Sequence, residues 1–111
     1  MAKYEKVIAG QFEEIVNRLC DDIKDSSISM NLVDESNYAV GNTKIAVRVY
    51  DKYFMRNGNR ASLSLTVVGN GNDVFISAIG AGGERGIFLN TSLGAEEEMV
   101  EIVGDSIEQM E

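Results

Sequence analysis

The stretch TKIAVRVYDKYFMRNGNRASLSLTVVGNGNDVFISAI, residues 43–79, decides how this chain folds. Apolar and polar residues alternate along it, the pattern of strands with one buried face. Ile45, Val47 and Val49 alternate with Lys44, Ala46, Arg48 and Tyr50, while Leu63, Leu65 and Val67 alternate with Ser62, Ser64 and Thr66. Three strands are expected, over 43–56, 60–68 and 73–79, joined at Asn57-Gly58-Asn59 and at Gly69-Asn70-Gly71-Asn72.

Burial selects the registers, because a one-residue slip turns every side chain to the other face. A two-residue turn on Asn70-Gly71, both tolerant of positive φ, sets Val67 opposite Val74, Leu65 opposite Ile76 and Leu63 opposite Ala78. In the first hairpin, a two-residue turn on Asn57-Gly58 would put Leu65 opposite Tyr50 and mix the faces. A three-residue loop, Asn57 to Asn59, pairs Val49 with Val67 and keeps one face apolar; a bulge near Asp51-Lys52 would serve equally well. Leu65 is then expected at the centre of the core. The other face carries Tyr50, Thr66 and Phe75 in one row, Lys52, Ser64 and Ser77 in the next, with Arg48, Val68 and Asp73 and then Phe54, Ser62 and Ile79 beyond them.

Outward from the meander the chain reads simply. Tyr4 to Ala9 is a short strand at a sheet edge. Over 10–25 an amphipathic helix places Phe12, Ile15, Val16, Leu19 and Ile23 on one face. Glu14 and Arg18 are spaced as a helical ion pair. Cys20 lies beside the apolar stripe and reads as a small core residue. Ile28, Met30 and Leu32 begin a strand that leads to a turn at 34–37, and a brief extended segment at 38–40 follows. After Ile79 come a glycine-rich connector, Gly80 to Gly86, and a short apolar run, Ile87-Phe88-Leu89. A helix from Ala95 buries Met99, Ile102, Val103, Ile107 and Met110, with Gly104 permitting close approach to the sheet. The order β-α-β-β-β-β-(β)-α gives an α+β fold, a two-layer sandwich. An antiparallel meander sheet carries the N-terminal and C-terminal helices on one face.

Composition narrows the chemistry. A chain of 111 residues is expected to form one domain. With no histidine and one cysteine, it supplies neither an internal disulfide, an ordinary zinc site nor a histidine base. No segment approaches the ~20 apolar residues that span a bilayer. The N-terminus lacks the apolar core of a signal peptide, and with the cysteine usage this points to the cytoplasm. A net charge of −8 argues against nucleic acid as a partner. The charge is uneven: Lys44, Arg48, Lys52, Arg56 and Arg60 against Asp51 give a local +4.

The stretch Ile45-Ala46-Val47-Arg48-Val49-Tyr50, the run from Leu63 through Val68-Gly69-Asn70-Gly71, Ser77-Ala78-Ile79 followed by Gly82-Gly83, and Asn90 to Glu96 together resemble a family of small bacterial proteins of unknown function. The resemblance covers nearly the whole chain. It implies a cytosolic bacterial protein and brings no activity, cofactor or site residue. In architecture alone the order of elements is similar to the helix-grip ligand-binding folds, most of which are longer.

Candidate sites follow from the residues. Gly80-x-Gly82 is followed by an apolar run rather than a helix, so it lacks the context of a dinucleotide loop. Arg85 within that segment is a candidate for an anion-binding nest. The acidic clusters lack calcium-loop spacing, and no metal or cofactor is expected. The basic and aromatic strand is the best lead. Arg48, Tyr50, Lys52 and Phe54 share one face with Phe75, so cations stand beside rings as on stacking platforms. The expected function is a non-catalytic interaction module, with itself as partner in a homodimer through this sheet face, or with an anionic ligand. The alternative is a small-ligand carrier or enzyme with a pocket near Gly80–Gly86.

Overall fold

In a computed structural model, residues 2–54, 58–82 and 94–111 are described. Strand β1 (Ala2–Ala9) is followed by helix α1 (Phe12–Lys24), then β2 (Asn31–Val40), β3 (Thr43–Phe54), β4 (Asn59–Asn70) and β5 (Asp73–Gly82), and helix α2 (Ala95–Met110). All pairings are antiparallel, in the order β1-β5-β4-β3-β2. This is the expected α+β sandwich, with β1 entering at the edge. The apolar run 87–89 lies outside the described residues. No helix among the described residues is long and apolar enough to cross a membrane.

Both helices form where their stripes predict. Glu13 and Glu14 in the first turn of α1, and Glu96, Glu97 and Glu98 in that of α2, suit the positive end of each helix dipole. Helix α1 buries Ile15, Val16, Leu19 and Ile23. Its end is held by Ser26, whose Oγ donates to the Ile23 carbonyl at 2.7 Å. Arg18 pairs forward with Asp22, at 3.0 Å, rather than back with Glu14. Helix α2 buries Met99, Val100, Val103, Ser106 and Ile107, while Ile102 and Met110 are partly buried. Ser106 donates to Asp22 and ties the helices together.

The sheet departs from expectation in three places. In the β4–β5 hairpin the turn sits on Gly71-Asn72, so Val67 faces Ile76 and Leu65 faces Ala78. Gly71 has φ +65° and, among the described residues, only glycines have positive φ, which suits a turn that demands glycine first. Gly41-Asn42 closes β2 and β3 in the same way, with Gly41 at φ +59°. The shift is by two residues, so every side chain of β5 keeps its expected face. Second, no turn forms at 34–37: those residues continue β2, with an irregularity between Leu32 and Asp34. Third, Phe54 faces Asn59 across a four-residue connection, which places Ala46 opposite Val67, Arg48 opposite Leu65 and Tyr50 opposite Leu63. The parity of β3 is therefore reversed. Ala46 and Tyr50 face the helices, and Ile45, Val47 and Val49 face away.

The helix layer explains the reversal. Helix α2 packs on β1, β5 and β4, and α1 packs on α2 and β4. Only the margin of that layer reaches β3, where one ring and one methyl group, Tyr50 and Ala46, complete the core. Strand β2 lies beyond the helices, and all ten of its residues are exposed. Close contact elsewhere depends on glycine. A Cβ on Gly80 would fall 2.8 Å from the Glu96 carbonyl oxygen, and one on Gly69 would fall 2.7 Å from the Phe12 ring. On Gly104 it would meet the Tyr4 ring at 3.4 Å, an ordinary contact.

Leu65 is fully buried, and Leu65→Ala is expected to cost about 2–5 kcal/mol in urea denaturation. Gly80→Ala pushes on backbone and is expected to cost about 1–3 kcal/mol. Gly104→Ala adds a tolerable methyl group and gains about 1 kcal/mol of helix propensity, so it is expected to be neutral or stabilising. Equal losses for the two glycine variants would contradict this packing.

Candidate functional site

The cations of β3 do not stand free. Lys44 Nζ lies 2.5 Å from Glu13 of α1, and Arg48 Nε lies 3.0 Å from Glu35 of β2. The Lys44 ammonium holds the Glu13 carboxyl below its usual range. Lys44, Arg48 and Lys52 share the helix side of the sheet, as every second residue of a strand must. Arg60 lies on the opposite side, 3.1 Å from Asp51 and over the Tyr53 ring at 5.7 Å.

Of the rings expected beside them, Tyr50 shares their face and Phe75 does not. Tyr50 turns toward α1 and is only 7% exposed, whereas Phe75 lies on the far face of the sheet. The expected grouping of Arg48, Tyr50, Lys52, Phe54 and Phe75 is thus split by the parity of β3. The side chain of Phe54, and Arg85 with it, lies outside the described residues. The expected opening near Gly80–Gly86 is also corrected at its near end. Gly80 and Gly82 belong to β5, and Glu96 and Val100 of α2 sit directly on them.

Two surfaces take their place. On the helix side, the uncovered margin forms a groove of about 390 Å³ between the second half of α1, Met30 and the strands β2 and β3. Cys20 is partly exposed there rather than sealed in the core. The Tyr50 hydroxyl donates to its Sγ at 3.6 Å. Arg48 enters the same groove with its side chain 13% exposed. Its Nη1 donates to Asn37 Oδ1 at 2.9 Å and to the Val47 carbonyl at 3.0 Å.

On the other side no described element covers the sheet. There the registers align Val7, Phe75, Val68, Ile45 and Tyr38, one residue from each strand, in an unbroken apolar row. The next row reads Glu5, Ser77, Thr66, Val47 and Ser36, and the one beyond it Lys3, Ile79, Ser64, Val49 and Asp34. Val7 is 58% exposed and Tyr38 63%. Sequence reasoning found Phe75, Val68 and Ile79 on this face but missed Ile45, Val47 and Val49, because it assigned their alternation to the core.

The chain belongs to a family of unknown function, DUF6054, whose family model matches residues 1–111. No curated protein matches it. Among solved structures it is similar to the crystal structure of TTHA0849 from Thermus thermophilus. The two are 13% identical with a TM-score of 0.35, over 97% of this chain and 94% of the other.

Burial, and then the bond to Cys20, push the Tyr50 hydroxyl well above its usual value of 10.0. A raised folded-state pKa stabilises the fold fully below the unfolded value and loses that stability as pH climbs toward the folded one. Stability is therefore expected to fall above pH 10, and Tyr50→Phe to flatten the fall. Tyr4 shifts the same way, mainly through desolvation, so some slope remains. Denaturation curves against pH check this, and an unchanged slope in Tyr50→Phe would refute it.

Proposed function

We propose that this chain is a non-catalytic interaction module that pairs with a second copy of itself through the open face of the sheet. The supporting observation is the apolar row Val7, Phe75, Val68, Ile45 and Tyr38, which crosses all five strands. Single exposed apolar residues are ordinary, but contiguous apolar surface commonly marks an interface.

Size and charge favour a second copy. Five strands of about ten residues, spaced about 4.8 Å apart, present a face of roughly 800 Å². That is about what one partner contributes to a stable interface. The charged residues of this face stand around the row rather than in it. Lys3 lies 3.9 Å from Glu5, and Arg60 pairs with Asp51. An apolar centre within a polar rim is the anatomy of a protein interface. A two-fold axis near Val68 lays one row against the other and makes the interface self-complementary. The two sheets would then stack about 10 Å apart. The helix side is the poorer surface for two such chains, since each carries a net charge of −8 and Glu96, Glu97 and Glu98 there repel their counterparts.

Light scattering during gel filtration is expected to give a dimer mass for the wild type. Ile45→Glu combined with Phe75→Glu is expected to give a monomer with unchanged circular dichroism. A wild-type monomer at the highest attainable concentration would remove this reading.

A further inference from the structure

We propose that the groove at the margin of the helix layer binds a small amphipathic carboxylic acid, its carboxylate held by Arg48 and Tyr50 and its apolar body lying on Ile23, Met30 and Leu32. The groove, at about 390 Å³, falls in the range of small-molecule sites. It joins an apolar wall to a few convergent polar groups, the arrangement that orients a ligand with one charged end.

Two of those groups have capacity left. Arg48 uses Nε for Glu35 and Nη1 for Asn37 and the Val47 carbonyl. Its Nη2 has no partner among the described residues. A guanidinium cannot lose its charge, and its planar fork matches a carboxylate oxygen. Tyr50 donates only to a thiol, a weak acceptor. A carboxylate oxygen in place of that sulfur forms a shorter, charge-assisted bond. Arg48 and Tyr50 are two residues apart on one face of β3, about 6.6 Å along the strand, so both can reach one head group. They also feel each other: the Arg48 charge pulls the Tyr50 pKa down against the effect of burial.

Charge and shape limit the ligand further. Lys24 and Arg48 face Asp21 and Glu35 around the groove. These four charges cancel, so a monoanion adds a single negative charge beside the two acids, whereas a phosphate or a dicarboxylate adds more and is repelled further. Leu32 is 49% exposed, so covering it removes apolar surface from water. Met30 beside it is the most adaptable of apolar linings.

The probe is 2-naphthoate, with its neutral methyl ester as control, followed by naphthalene fluorescence in a protein that has no tryptophan. Saturable one-to-one binding of the acid is expected, with the ester weaker by about 10- to 100-fold. Arg48→Met is expected to bring the acid to the level of the ester, and Cys20→Phe to fill the groove and abolish binding of both. In the wild type, bound naphthoate is expected to slow alkylation of Cys20 by iodoacetamide, a readout that needs no variant to fold. The Ile45→Glu, Phe75→Glu protein is expected to bind as well as the wild type, because the groove lies on the other side of the sheet. Equal affinity for acid and ester, no saturation by about 1 mM, or an unprotected Cys20 would each overturn the proposal.

Discussion

The organising constraint is width. Five strands spaced about 4.8 Å apart make a sheet about 24 Å across, and two helices packed about 8–10 Å apart cover less than that. Since α2 sits on β1, β5 and β4 and α1 beside it, the whole shortfall falls on β3 and β2. Strand β2 is consequently wet on both faces, and the polar run Asp34-Glu35-Ser36-Asn37 can sit in the middle of it. Its charges also guard an exposed sheet edge against pairing with another chain. At the same margin Arg48 meets its counter-charge on β2 instead of on a helix, and the groove opens beside it.

How far the sequence disclosed this follows from how one-sided each element is. The helices were legible because Ile15, Leu19, Met99 and Val103 leave no second reading of their stripes. The β4–β5 pair kept its faces although its turn moved, because a two-residue shift preserves parity, and Leu65 is buried as expected. Strand β3 was illegible. Both its phases are apolar, one through Ile45, Val47 and Val49 and the other through Ala46, Tyr50 and Phe54. Alternation then cannot choose between them. The choice rests on the span of the helix layer and on Tyr50 filling the space beneath Cys20, neither of which is written locally. The grouping of candidate site residues was split with it: Arg48, Tyr50 and Lys52 kept one face, and Phe75 took the other. Strand β2 was missed for the opposite reason: a strand buried on neither face has no hydrophobic period, and its polar run imitates a turn.

The glycines show the same dependence on tertiary context. Gly80-Ala81-Gly82 looks like a loop in the sequence because glycine is a poor strand former. In the fold these positions are where α2 comes down on β5, and side chains there would hold the layers apart. Gly69 does the same for Phe12 at the start of α1. Each helix is thus seated on the sheet at a residue without a side chain.

The two faces of β3 depart from the needs of folding in opposite senses. On the helix side Ala46 and Tyr50 complete the core, and an apolar residue at position 48 would pack there without desolvating a charge. An ion pair held out of water is no more stabilising than such a residue and is commonly less so. Arg48 nonetheless stands there, nearly enclosed and paired with Glu35. On the open side a solvated strand could carry serine and threonine, as β4 does with Ser62, Ser64 and Thr66. Strand β3 instead presents three β-branched apolar residues, one of them in line with Val68, Phe75 and Val7. Charge stands where packing favours an apolar group, and apolar surface stands where water favours a polar one. Neither departure stabilises the isolated chain. Both departures are the ones that the two proposed contacts call for, an anion on one side of the sheet and a matching apolar face on the other.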